Sequence, residues 1–417
     1  MKVPAGIGME VDEAPTPIEL RACPVCGGKS SELLFRQSFR SLQDIGLLEG
    51  YDLVVCQGCG MTFADGIPAQ RIFDQYYRDL SKYAYEHRGG KESEDDDWRL
   101  RQVAKTLQRY SPDRSARILD IGAGSGALVR HLKDAGYENA FGLDPSPNCS
   151  EAAKKLYGVT IFTGSVFAPP LPDRPYDMLV MLGVLEHIRD VDVAVRGLHR
   201  LLSNAGRIYV EVPDPTNFIA EQDAPFQEFS TEHINYFSPT ALRYLMEAAG
   251  FRSIECNSEV RRDDAGRLFS CVYGVFERAN QARTKFPRHT EAEAGLRRYI
   301  HQCRKMDTEL RQRIDRAISG GSRVIVWGVG THTQRLLATG ALHIANIVAF
   351  VDSNPKYQNQ QLQGIAVVRP EALKNISEPI LISSYAFQQE IANQIRSMKL
   401  PNELIMLYAA NSPAESK

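Results

Sequence analysis

Asp120-Ile121-Gly122-Ala123-Gly124-Ser125-Gly126, entered from Ala116-Arg117-Ile118-Leu119, constrains this chain most. A short apolar run, a glycine-rich turn and then Ala127-Leu128-Val129-Arg130-His131-Leu132 read as buried strand, tight turn and helix. Glycine accepts positive φ and lets a ligand lie against the backbone at the strand's carboxyl end. The spacing is Asp-x-Gly-x-Gly-x-Gly, whereas a pyrophosphate is cradled by Gly-x-Gly-x-x-Gly. An acid at the head repels a diphosphate and suits a cationic ligand such as the amino-acid end of S-adenosylmethionine.

A βαβ rhythm follows, so the expected class is α/β with a parallel, two-sided sheet. Residues 140–144 are predicted as a second strand ending in Asp144, a carboxylate placed to accept ribose hydroxyls. A third strand over 159–162 leads into a loop carrying Ser165, where an adenine would lodge. The fourth, 176–182, ends at Leu182 and continues as Gly183-Val184-Leu185-Glu186-His187-Ile188, read as a strand-end cap beside the ligand. After the turn Asn204-Ala205-Gly206, residues 207–213 are the fifth strand.

Upstream, Cys23-Pro24-Val25-Cys26 and Cys56-Gln57-Gly58-Cys59 form two Cys-x-x-Cys knuckles, each followed by glycine. Four thiolates on one tetrahedral ion are the usual structural zinc arrangement, and such a closed site leaves no position for catalysis. A redox dithiol would start a helix beside a βαβ pattern, which is missing here. Cys149, Cys256, Cys271 and Cys303 lack ligand spacing and are expected to be structural thiols.

Lys plus Arg (49) nearly balances Asp plus Glu (51), which excludes a global positive field for nucleic acid or an anionic membrane. No apolar run is long enough to span a bilayer. Residues 1–20 are acidic and proline-bearing, unlike a signal peptide, so a flexible tail and a cytoplasmic location are expected. Nothing in the chain speaks to oligomeric state.

Glu232-His233 lies just before a well-marked helix, with Ser238 as N-cap, Pro239 in the first turn and Gly250 at the close. In a doubly wound order that loop emerges over the ligand. An imidazole steadied by a carboxylate can there take a proton from carbon or hydroxyl.

Residues 111–275 resemble class I S-adenosylmethionine-dependent methyltransferases. The resemblance implies that Gly122, Gly124 and Gly126 hold the methionine end, that Asp144 holds the ribose, and that Asp120 shapes the loop or meets the amino group. Ser165 and Leu182 complete the implied cofactor pocket. Taken over almost the whole chain, the order of parts is similar to sugar C-methyltransferases acting on nucleotide-linked keto-deoxysugars. In that family a Tyr-x-Glu-His stretch precedes Tyr-Phe-Ser. Glu232, His233 and Tyr236 match here, while Ser230 stands in the tyrosine position. The resemblance implies His233 as base, with Glu232 and Tyr236 assisting, and an enolate as methyl acceptor. Methylation of a sugar or small-molecule hydroxyl, with His233 as base, is the alternative.

In the C-terminal third, residues 290–318 are predicted as a helix with Leu296, Tyr299, Ile300, Cys303, Met306, Leu310 and Ile314 on one side. Residues 323–330 then open a second strand and glycine turn, and Asp352 ends the next strand. A dinucleotide site here would make the chain an NAD-dependent oxidoreductase. The resemblance implies instead that this half holds the nucleotide of the substrate; the hydroxyls of Thr331 and Thr333, with the free amides of the helix start, are placed to meet a phosphate. The expected domains are a tail (1–20), a zinc-binding module (21–85), a linker helix (86–110), a methyltransferase domain (111–278), a helical connector (279–319) and a Rossmann-like substrate domain (320–417).

Overall fold

A computed structural model describes residues 20–42, 46–80, 91–172, 174–221, 223–262 and 268–408. The tail expected at 1–19 lies outside the described residues, as does the boundary between module and linker at 81–90. The N-terminal module is an antiparallel sheet of β1 (Ser31–Ser38), β2 (Gly50–Cys56) and β3 (Thr62–Asp65), followed by α1 (Gln70–Leu80). Both knuckles turn tightly: the Gly27 amide donates to the Cys23 carbonyl and the Gly60 amide to the Cys56 carbonyl, each at 2.9 Å.

Helix α2 (Glu94–Tyr110) begins at Ser93, whose hydroxyl accepts the Asp96 amide, and four acids in its first turn face the positive end of the helix dipole. The central sheet is built from β4 (Ile118–Ile121), β5 (Ala140–Asp144), β6 (Ile161–Thr163), β7 (Tyr176–Leu182) and β8 (Leu202–Pro213). Helices α3 (Ala127–Asp134), α4 (Pro147–Tyr157) and α5 (Val191–Gly197) connect these strands. The turn expected at Asn204–Gly206 is absorbed into β8. Pairing with β7 jumps there from Tyr176–Leu202 to Met178–Arg207, so the surplus residues bulge while the ladder continues.

Next come β9 (Asn235–Tyr236), α6 (Pro239–Ala248) and the antiparallel pair β10 (Phe251–Arg262) and β11 (Leu268–Arg278). The spatial order is β6-β5-β4-β7-β8-β11-β10, parallel from β6 to β8 and antiparallel at the β8–β11 edge. Strand β9 leaves this sheet and pairs with β3 of the module, Thr62 opposite Tyr236 and Phe63 opposite Asn235. Module and central domain also share one core, in which Cys23, Cys56, Cys59 and Phe63 pack with Leu119, Ile121 and Leu242.

Helix α7 (Glu291–Ala317) buries the predicted stripe, with Met306 at its half-buried margin. Leu296, Tyr299, Ile300 and Cys303 join the module's second core, while Leu310 and Ile314 join that of the C-terminal domain. This one helix therefore bridges both ends of the chain. The last domain comprises β12 (Val324–Trp327), α8 (Thr331–Ala338), β13 (Ile347–Val351), β14 (Gln361–Leu362), β15 (Ile365–Val368), β16 (Ile380–Ile382), α9 (Gln388–Ser397) and β17 (Leu404–Met406), in the order β14-β15-β13-β12-β16-β17. Among the described residues no helix is long and apolar enough to cross a membrane.

Candidate active site

The glycine turn has the backbone its sequence demanded. Gly122, Gly124 and Gly126 all have positive φ (78°, 52° and 85°). A Cβ at Gly122 would lie 2.5 Å from Val184 Cγ2, so this position needs glycine for space as well as conformation. Asp144 fastens the turn to the neighbouring strand: its Oδ2 accepts the Gly124 amide and its Oδ1 the Ser146 amide, both at 2.9 Å. Beside the turn opens a cleft enclosing about 1030 Å³, with Gly122, Asp144, Ser165 and Leu182 in its wall.

Asp120 is not in that wall. Its side chain is 4% exposed beneath the turn, where burial, then the neighbouring Asp144, pushes its carboxyl up to about 8. Gly126 also sits behind the turn, at the start of α3, with its Cα facing Val159 and Ala153. Four of the residues expected at the cofactor thus line the cleft directly, and Asp120, Gly124 and Gly126 shape it from behind.

The far end of the cleft gathers side chains from three separate segments. Tyr76 and Tyr77 come from α1, His187 from the turn after β7, and Glu232 from the loop before β9. The Tyr76 hydroxyl donates to Glu232 Oε1 at 3.0 Å. His187 Nδ1 lies 3.0 Å from the Glu232 carbonyl and 3.1 Å from the Tyr77 hydroxyl. A carbonyl can only accept, so Nδ1 is the donor in that bond. The His233 ring meets His187 edge to face, centroids 5.1 Å apart. Glu186, His187 and His233 bring one ligand atom each within 4.8 Å of the others. Half-buried Glu228 stands 4.0 Å from His233 Nδ1, its carboxyl held well above the usual range by loss of solvent and by Glu221, Asp223 and Glu186.

Of the three residues expected to be catalytic, Glu232 lines the cleft, while His233 and Tyr236 are not in its wall. Tyr236 is 2% exposed and lies under the loop rather than in the cleft. Its hydroxyl meets that of Tyr51 at 2.9 Å and donates to the His233 carbonyl at 3.0 Å, so it braces the loop from behind. Ser230, in the place of the family tyrosine, accepts the Glu232 and His233 amides at 3.2 and 3.1 Å and so shapes the turn that presents them. Phenols in the cleft come instead from Tyr76 and Tyr77, which reading the chain had missed. Their adjacency on an amphipathic helix directly after the cysteine module was the signal available. His187, read as a strand-end cap, belongs to the cleft wall as well.

All four knuckle cysteines lie within 4.8 Å of one another, with Cys23 Sγ 3.6 Å from Cys59 Sγ and Cys26 Sγ 3.5 Å from Cys56 Sγ. A tetrahedron of metal–sulfur bonds about 2.3 Å long has edges near 3.8 Å, so donor set and spacing fit a closed four-thiolate site. The other cysteines are buried or half-buried and stand apart from this cluster.

The C-terminal domain repeats the first arrangement. Asp352 Oδ2 accepts the Val329 amide at 3.1 Å and Oδ1 the Asn354 amide at 2.8 Å, as Asp144 does in the central domain. The crevice alongside encloses about 1220 Å³, and Thr331 is in its wall. Thr333 is fully buried and donates to the Gly328 carbonyl at 2.7 Å, so only one of the two expected hydroxyls faces a ligand. His332 meets the Tyr408 hydroxyl at 2.7 Å, and burial lowers its pKa to about 3.

A family model described as a methyltransferase domain matches residues 96–255, the segment that carries the glycine turn and most of the central sheet. C-methyltransferase NovU of Streptomyces niveus is 22% identical over 354 residues, covering 82% of this chain and 81% of NovU. The chain is an S-adenosylmethionine-dependent methyltransferase. Other curated relatives match this methyltransferase over its central part. The probable S-adenosylmethionine-dependent methyltransferase Rv3030 of Mycobacterium tuberculosis is 26% identical over 34% of this chain and 53% of its own length. A second family model, C2185-like N-terminal, matches residues 320–406 of the methyltransferase. Burkholderia thailandensis 1,6-didemethyltoxoflavin-N1-methyltransferase, solved with 1,6-didemethyltoxoflavin and S-adenosylhomocysteine, is 18% identical with a TM-score of 0.40 over 54% of this chain and 98% of its own.

Proposed function

We propose that this methyltransferase adds a methyl group to a carbon beside the keto group of a nucleotide-linked deoxysugar, with His233 as the base. The observation that carries the reading is the cluster of Tyr76, Tyr77, His187 and Glu232 in the cleft wall, with the His233 ring packed against His187. S-adenosylmethionine, when bound, supplies an electrophilic methyl on its sulfonium. Asp144 has lone pairs left over from its two backbone amides, and these accept the ribose hydroxyls. Gly122 gives the methionine end its close backbone approach, while Ser165 and Leu182 flank the adenosine.

His233 takes the proton from the carbon acid, with Glu232 next to it in the loop assisting. Tyr76 and Tyr77, whose burial keeps both phenols protonated far above neutrality, donate to the enolate oxygen. Those phenols supply the acid/base group that Ser230 lacks, which favours carbon over oxygen as the acceptor. The similarity to a C-methyltransferase along most of both chains supports the same choice. The C-terminal crevice receives the nucleotide, and the four cysteines hold a structural zinc ion that ties the module to the sheet.

Mass spectrometry after incubation with S-adenosylmethionine and a panel of nucleotide-linked keto-sugars tests the proposal. It expects one added methyl stable to conditions that cleave ethers. A methyl ether product would replace the carbon reading with the oxygen one, and transfer to none of the panel would refute the substrate class.

A further inference from the structure

One lysine stands between a ring of the catalytic cleft and a ring of the C-terminal crevice. Lys356 lies in the turn after β13, where its amide donates to Asn354 Oδ1 at 2.9 Å. The nearby Asn354 and Tyr357 line the C-terminal crevice. The Lys356 ammonium lies 5.3 Å from the centre of the Tyr76 ring, in the wall of the catalytic cleft, and 5.8 Å from that of Tyr357, in the wall of the crevice. The charge is largely withdrawn from water, which lowers its pKa, and the carboxylate of Glu232 acts on it in the opposite sense.

Among the described residues, neither cleft has an arginine or lysine in its wall. The loop facing the crevice brings acids instead: Asp223 borders it and Glu228 lies close by. A substrate with its nucleoside in one cleft and its sugar in the other must lay its diphosphate across the seam. That anion needs a cation there, both for its own charge and against the acidic loop. We propose that Lys356 is the residue that binds the substrate's diphosphate and so sets the register of the sugar against the catalytic groups. This rests on the nucleotide-sugar reading above.

Calorimetry on the full-length, zinc-loaded protein, with uridine and thymidine diphosphates against uridine and thymidine, tests it. Lys356→Gln is expected to weaken the diphosphates by about ten-fold or more, the loss of one charge-assisted contact, and to leave the nucleosides unchanged. Lys356→Arg should keep most of the affinity, and unaltered S-adenosylmethionine binding reports that both variants are folded. Equal diphosphate affinity in Lys356→Gln would overturn the proposal. So would a loss found in Thr331→Ala, at the start of α8, and not in Lys356→Gln. The two levels separate cleanly. A wild type that neither binds these diphosphates nor methylates nucleotide sugars defeats the substrate reading. A wild type that methylates them, with KM unchanged in Lys356→Gln, defeats only the role of Lys356.

Discussion

The imidazoles of His187 and His233 stand edge to face, 5.1 Å between centroids, although they come from segments far apart in the chain. Backbone and side-chain bonds lace those segments together. The Ile234 amide donates to the Glu186 carbonyl at 2.8 Å, and Asn235 Nδ2 donates to the carbonyls of Leu185 and Ile188 at 2.8 and 2.7 Å. The loop that carries His233 is therefore fixed to the strand end beside the cleft. His233→Ala should lower kcat by roughly 100- to 10,000-fold, the usual worth of a general base, with S-adenosylmethionine affinity unchanged. Steady-state kinetics beside calorimetry checks both halves of that expectation.

Asn235→Ala leaves the Ile188 carbonyl without its donor and the Leu185 carbonyl with only the longer bond from the Ile188 amide, 3.4 Å. An orphaned group costs about 1–3 kcal/mol, so the melting temperature should fall and kcat with it as the loop loosens. Arg21 shares the same knot, with Nη1 donating to the Ala64 carbonyl and Nη2 to Asn235 Oδ1, both at 3.0 Å. A melting temperature equal to wild type in Asn235→Ala would show that the lacing carries no stability.

Asp120 links stability to pH. With its carboxyl pushed up to about 8 from an ordinary 3.8, the folded state keeps a proton that the unfolded chain loses near pH 4. Its contribution is complete below about pH 4 and drains away as pH rises to about 8. Scanning calorimetry of the ligand-free protein should show that decline, and Asp120→Asn should flatten it. If the cofactor's ammonium draws Asp120 into its ionised form, binding at pH 7 releases a proton, which titrations in buffers of different ionisation enthalpy would detect.

Removing the metal should unfold more than the module. A structural zinc site contributes on the order of 10 kcal/mol of folding free energy, and here the thiolate cluster lies in the core of the central sheet. Chelation, or Cys56→Ser, should release zinc and abolish the S-adenosylmethionine-induced rise in melting temperature. Gly60→Ala should mimic part of the loss: φ there is 88°, and an added Cβ would fall 1.9 Å from the His289 carbonyl oxygen.

Where the chain was legible, one local rule sufficed. The glycine turn, the acids ending β5 and β13, the α6 cap at Ser238 and the buried stripe of α7 each follow from neighbours in sequence. Less was visible wherever distant segments had to meet. Nothing near Tyr236 announces that β9 pairs with β3, and that pairing turns the tyrosine toward Tyr51 and away from the cleft. Tyr76 and Tyr77 reach the cleft only because α1 packs where the module meets the central sheet, which no local pattern announces. The β10–β11 ribbon escaped because most of β10 is exposed and polar, with no apolar alternation to betray it.

Deuterium exchange tests the role of His233 most directly. In heavy water, with a nucleotide-linked keto-sugar and S-adenosylhomocysteine in place of the methyl donor, the wild type should exchange the proton beside the ketone. His233→Ala should not, although it still binds both ligands. Methyl transfer by a wild type that exchanges no proton, or full exchange by His233→Ala, would contradict an enolate formed by this histidine.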